Sequence, residues 1–151
     1  MGDIPAQSEV RPIFKDAGGI ALEYRQAHIL PEHILLAFLR AEGPAISSLF
    51  ISFGVDRDVM KKELHEILSA MPPTLLVAFD DVKVPQTPMA KKSVEFAIEE
   101  ARSKADRIWI SPVTWMIGLC RLTKGEIPAF LSRHGITVEK LRAMHTLIVT
   151  K

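Results

Sequence analysis

Only one cysteine, Cys120, occurs in the 151 residues, so no disulfide can close within the chain, which fits a reducing compartment. No apolar run approaches the roughly 18 residues of a membrane-spanning helix, and no basic-then-apolar leader opens the chain. A soluble cytoplasmic protein with no membrane partner is the expectation. Charge of one sign is also lacking: Lys and Arg total 19 against 18 acidic residues. Recognition of a phosphate backbone needs clustered basic excess, so no nucleic-acid partner is expected. The pairs Lys61-Lys62 and Lys91-Lys92 read as solvated helix faces.

Signatures of cofactor chemistry are missing as well. No Gly-x-x-x-x-Gly-Lys-Ser/Thr run is present to cradle phosphates, and no Cys/His spacing suits zinc. Pro31 lies between His28 and His33, a poor arrangement for one metal, and His65, His134 and His145 stand alone. Cys120 falls within an apolar helical pattern and reads as a small core residue. Asp80-Asp81 reads as a solvated turn. No catalytic residue, metal or cofactor is expected, and an enzyme is not the reading.

What the chain does have is enough apolar matter for a core, 48% hydrophobic against 25% charged residues. It also has internal repetition. Gly54-Val55-Asp56 ends one apolar helical pattern and opens another, and Gly135-Ile136-Thr137 does so again 81 residues on. At that shift Ile34 to Arg40 lies over Trp115 to Arg121, Ile46 over Ile127, and Leu49-Phe50 over Phe130-Leu131. Val59 falls over Lys140, where the apolar face drifts. Upstream the shift drops by one, pairing Ala21 with Ala101.

Each copy reads as four helices. In the first, Val10, Ile13, Phe14, Ala17, Ala21 and Tyr24 follow a three-four spacing, with Ser8 as N-cap and Pro12 in the first turn. Pro31 starts a second helix and Gly43-Pro44 a third. Gly54 ends the third in a left-handed conformation, and Asp56 caps a fourth carrying Val59, Met60, Leu64, Ile67 and Leu68 inward. In the second copy Thr87-Pro88, Ser111-Pro112 and Thr137 are the start signals, with Gly125 and Gly135 as breaks. The expected fold is therefore all-α, a pseudo-two-fold tandem repeat of two four-helix units, about eight helices. One domain spans 1–151, with repeat one at 6–70, a linker at 71–86 and repeat two at 87–149. Apolar residues 75–79 of the linker read as a short strand or clamp over the helices, or as a docking edge for another chain.

Several stretches resemble the N-terminal domains of Clp ATPases. Thr87-Pro88-Met89-Ala90-Lys91-Lys92, followed by Glu99-Glu100-Ala101-Arg102, is similar to the opening of that family's second repeat. Glu32-His33-Ile34-Leu35-Leu36 resembles the Thr-Glu-His-Leu-Leu signature of the second helix of each repeat, and the two Gly turns resemble the turn before each fourth helix. The resemblance runs from about Ala6 to Leu147. It implies a double-repeat (Clp R) bundle of eight helices that recruits adaptors and substrates to an ATP-driven unfoldase, here without the ATPase modules. The implied partners are proteins: Clp ATPase or protease subunits, adaptors, or unfolded or tagged substrates. The alternative is a free-standing regulatory or structural subunit that binds the Clp machine or competes for its adaptors.

The resemblance also implies at most one phosphoarginine site. One acidic residue of such a site maps onto Glu32, while its counterpart in the second copy is Val113, with Thr114 in place of His33. Leu30-Pro31 stands where the family has Gly-Thr, and Pro31 removes a backbone N–H that could meet an anion. Glu32 has a plainer reading as a carboxylate that offsets the helix dipole, and His33 as a packed or capping residue. Trp109 and Ser111 complete the candidate set, at the start of the sixth helix. Trp115, and more simply Trp109 too, reads as core, with an exposed groove between the repeats as the other reading.

Overall fold

A computed structural model describes residues 8–74, 84–104 and 110–150, with 103–104 and 145–150 described by their backbone. Eight helices follow in order: α1 (Arg11–Glu23), α2 (Pro31–Arg40), α3 (Pro44–Phe53), α4 (Arg57–Ala70), α5 (Pro88–Lys104), α6 (Pro112–Cys120), α7 (Ile127–Arg133) and α8 (Val138–Thr150). The described residues hold no strand; Ile29 and Gln86 form an isolated parallel bridge. The chain is an all-α tandem repeat, with α1–α4 and α5–α8 as its two units. Linker residues 75–79 and Trp109 lie outside the described residues.

Proline sets many of the helix starts. Pro31, Pro44, Pro88 and Pro112 each occupy a first helical position, where the missing N–H costs no intrahelical bond. Polar caps stand ahead of two of them. Thr87 Oγ1 accepts the Ala90 N–H at 3.2 Å, and Ser111 Oγ accepts the Thr114 N–H at 3.1 Å. Asp56 does the same for α4, accepting from Asp58 and Val59. Gly54 ends α3 with φ +65°, the left-handed conformation that glycine enters without penalty. Two expectations fail. The N-cap of α1 is Val10, not Ser8, and no side chain caps that end. Val59 is exposed, because Met60, Leu64 and Leu68 form the inward row of α4 and Val59 stands one position off it.

Helices α2 and α6 form the centre. Residues Pro31 to Leu39 and Pro112 to Leu119 are buried without interruption, the mark of a helix covered all round. α1 packs on α2 and α5 on α6. Gly118 lets α5 approach closely: a Cβ there would lie 2.1 Å from the Ser93 carbonyl oxygen. Trp115, fully buried on α6, joins the two repeats. Its ring lies 4.6 Å from Phe14 of α1 and 5.2 Å, edge-on, from Phe38 of α2, while its Nε1–H donates to Ser93 Oγ at 3.1 Å. Full burial of each large apolar side chain here contributes about 1.5–3 kcal/mol. This core is shared, so neither unit closes its interior without the other.

Long-range caps fix the periphery. The Glu9 carboxylate, ahead of α1, accepts N–H bonds from Ala45 and Ile46 at the start of α3. Arg57 donates to the carbonyls of Phe38, Leu39 and Ala41, closing the end of α2, and its guanidinium lies over the Phe50 ring. Buried Glu100 binds Arg121 and Arg142, tying α5 to α8. Across the repeats, His134 Nε2 lies 3.0 Å from Glu63 of α4. The described ends of the linker are tied to the connector between α1 and α2. Thr74 bonds Arg25, Gln26 and Ala27, while Ile29 bonds Pro85 and Thr87.

Candidate functional site

The bridge of Ile29 with Gln86 sets the start of α2 beside the start of α5. The Ile29 N–H donates to the Pro85 carbonyl at 2.8 Å and the Thr87 N–H to the Ile29 carbonyl at 2.9 Å. The turn before α7 completes a third wall. A cleft of about 340 Å³ opens between them, lined by Leu30, Pro31 and Glu32 of the first repeat and by Thr87, Pro88, Met89, Lys124, Gly125, Glu126 and Ile127 of the second.

Glu32 is the chemical centre of this cleft. Its residue is only 8% exposed, yet its carboxylate makes no ion pair among the described residues. Burial pushes its carboxyl above the ordinary range, its own backbone N–H pulls it back, and the Glu126 carboxylate pushes it up again. The exposed Glu126 lines the same cleft. An opposite charge entering the cleft would relieve both the desolvation and the repulsion.

The sequence-predicted residues divide. Pro31 and Glu32 both line the cleft. His33 does not: it is fully buried, and its Nδ1 accepts the Leu30 N–H at 2.9 Å. That bond puts the ring proton on Nε2, which finds no partner among the described residues. Burial pushes the His33 imidazole down to about 4, so it is neutral at physiological pH. Ser111 is spent on capping α6, bonding Thr114 through both its hydroxyl and its N–H. Trp115 is core, and burial followed by Glu139 pushes the Cys120 thiol up to about 12, leaving it a poor nucleophile. No group of His, Cys, Asp and Glu suited to a metal occurs among the described residues.

Sequence reading missed Met89, Lys124 and Glu126 as cleft residues. One signal was available: at the repeat shift Glu126 lies over Ala45, an acidic residue where the other copy has none.

The family model of the Clp repeat (R) N-terminal domain matches residues 7–134. The chain belongs to that family. Solved structures agree on the fold of this Clp repeat domain. The N-terminal domain of the caseinolytic-protease-associated chaperone ClpD from Arabidopsis thaliana is 17% identical with a TM-score of 0.74, over 100% of this chain and 98% of that one. The N-domain of ClpV from Vibrio cholerae is 13% identical with a TM-score of 0.74, over 96% of this chain and 85% of that one. The N-terminal domain of Hsp104 from Candida albicans is 14% identical with a TM-score of 0.69, over 92% and 87%. A search of curated proteins returns no match. No single helix of the Clp repeat domain, among its described residues, is long and apolar enough to cross a membrane.

Proposed function

We propose that this Clp repeat domain is a non-enzymatic docking module. It recruits protein partners, adaptors or substrates, to a Clp-type unfoldase in ATP-dependent proteolysis or quality control, and it does so in the cytoplasm. Membership of the Clp repeat family supports a docking module of this type. The observation that carries the reading for this chain is the cleft between the starts of α2 and α5, with nearly buried Glu32, which makes no ion pair among the described residues, as its anchor. Clefts that pair apolar walls with a few convergent polar groups are the usual form of binding sites. On this reading 1–151 act as one domain, with 6–70 and 87–149 as the repeats and 71–86 as linker.

The test adds the purified domain to a reconstituted Clp ATPase and protease of the source cell, with unfolded casein as substrate. Faster degradation that depends on Glu32 supports delivery. Slower degradation identifies a competitor for the machine's own docking sites. An unchanged rate, with no binding to ATPase or casein, removes the docking function.

A further inference from the structure

We infer that the solvent face of α3 is a contact for a second copy of this chain, with α3 pairing antiparallel to α3 across a two-fold axis at Ser48. This goes beyond the docking reading and uses a different face from the cleft between α2 and α5.

Three observations carry it. The first is an apolar knob on an uncharged helix. Ile51 is 77% exposed, more than any other large apolar side chain among the described residues. The other exposed residues of α3 are Pro44, Ala45, Ser48 and Ser52, and no charged residue occurs from Gly43 to Val55. Charges at the two ends of α3 are spent inward. The Glu9 carboxylate accepts the Ala45 and Ile46 N–H groups, and Arg57 donates to Ser47 Oγ and to the end of α2.

The second is the contrast with α7, the same helix one repeat on. Where α3 has Ala45, Ile51 and Ser52, the second repeat has Glu126, Ser132 and Arg133, all exposed. Lys140 likewise replaces Val59, the other exposed large apolar side chain. The fold therefore does not require an uncharged surface here, and the first repeat alone carries one. Depletion of charge around an apolar anchor is the mark of a contact centre.

The third is self-fit. Ala45, Ser48 and Ser52 share one side of α3 at three- and four-residue spacing. An antiparallel pair about Ser48 sets Ile51 of each copy against Ala45 of the other, and Ser52 against Pro44. A large residue meets a small one twice through a single symmetry operation. An acidic or basic partner would find no opposite charge on this face, whereas an identical face buries no unpaired charge. A ten-residue helix, about 15 Å long, covers less than the roughly 800 Å² per partner of a stable complex, so the dimer is weak and concentration-dependent.

Sedimentation equilibrium of the full chain over roughly 10 µM to 1 mM should show the mass rising toward that of two chains. Ile51→Glu, at an exposed position, keeps the fold, as its amide spectrum would report, and should weaken association at least about tenfold. Ser132→Glu, the matching position on α7, should leave association unchanged. Ser48→Glu and Ser48→Lys should each stay monomeric, because like charges meet at the axis, and an equimolar mixture of the two should dimerise again. A single-chain mass at every concentration overturns the inference, as does association that survives Ile51→Glu or a mixture that stays monomeric. A monomeric chain that loses binding to a Clp ATPase on Ile51→Glu assigns the face to another protein and overturns the inference as well.

Discussion

His33 and Thr114, one repeat apart, make the same bond with different atoms. His33 Nδ1 accepts the Leu30 N–H at 2.9 Å at the head of α2, and Thr114 Oγ1 accepts the Ser111 N–H at 2.8 Å at the head of α6. Each closes a helix start whose first residue is a proline. The symmetric bond assigns His33 to architecture, beside the cleft rather than in it.

A pH dependence follows. Unfolded His33 takes a proton near 6.5, whereas the folded ring resists it until about 4. Between these values the unfolded state binds more protons, so stability falls as pH falls, by up to about 3 kcal/mol in all. Glu32, raised in the fold, works in the opposite direction just above the ordinary carboxylate range. Replacing His33→Thr copies the second repeat and should flatten the loss between pH 6.5 and 4 in urea unfolding. An unchanged slope would assign the acid sensitivity elsewhere.

Gly118 and Gly19 predict opposite outcomes from one substitution. Gly118→Ala drives a methyl to within 2.1 Å of the Ser93 carbonyl oxygen, forcing α5 from α6. A loss of about 2–3 kcal/mol is expected in chemical denaturation. Gly19 lies inside α1 with nothing within 4 Å of a new Cβ, so Gly19→Ala should gain roughly 0.5–1 kcal/mol. Equal effects at the two sites would contradict the close α5–α6 contact.

Arg57 closes α2 through three carbonyls, a task that needs a fork of donors rather than a charge alone. Arg57→Lys keeps the charge and should still cost about 1–2 kcal/mol; Arg57→Ala should cost about 2–3 kcal/mol by leaving partly buried carbonyls unpaired. Hydrogen exchange at Phe38 to Ala41 should quicken in both. A lysine variant as stable as the parent would reduce Arg57 to a point charge.

The cleft has its own pH signature. Protonating Glu32 removes an acceptor for a cationic ligand, and burial makes that proton bind more readily than on an ordinary carboxyl. Affinity for a docking partner that pairs a cation with Glu32 should therefore decline on acidification at a pH above the usual Glu range. Glu126 and Lys124 are the other charged groups lining the cleft. Glu32→Gln should remove the decline; its persistence there would point to Glu126 instead.

Much of the fold was legible because helix grammar is local. Proline starts, the left-handed Gly54 and the caps Asp56, Thr87 and Ser111 act within a turn of themselves, and each falls where its spacing predicts. The repeat held long-range information that the inward reading of Val59 passed over: Lys140 lies over it, and Val59 is exposed. Caps supplied from afar left no such trace. Glu9 reaches α3 and Arg57 reaches back to α2, and nothing beside either residue announces its partner. The cleft was legible in half. Glu32 stood out as an acidic residue in a helix's first turn, but Glu126 and Met89 join it only through the packing of one repeat against the other.

Amide NMR of the nitrogen-15-labelled chain during titration with unfolded casein tests docking most directly. The account predicts shifts concentrated at Glu32, Thr87, Met89 and Lys124 to Ile127, and their loss in Glu32→Gln. Shifts centred on another face, or a spectrum that casein leaves unmoved, would contradict it.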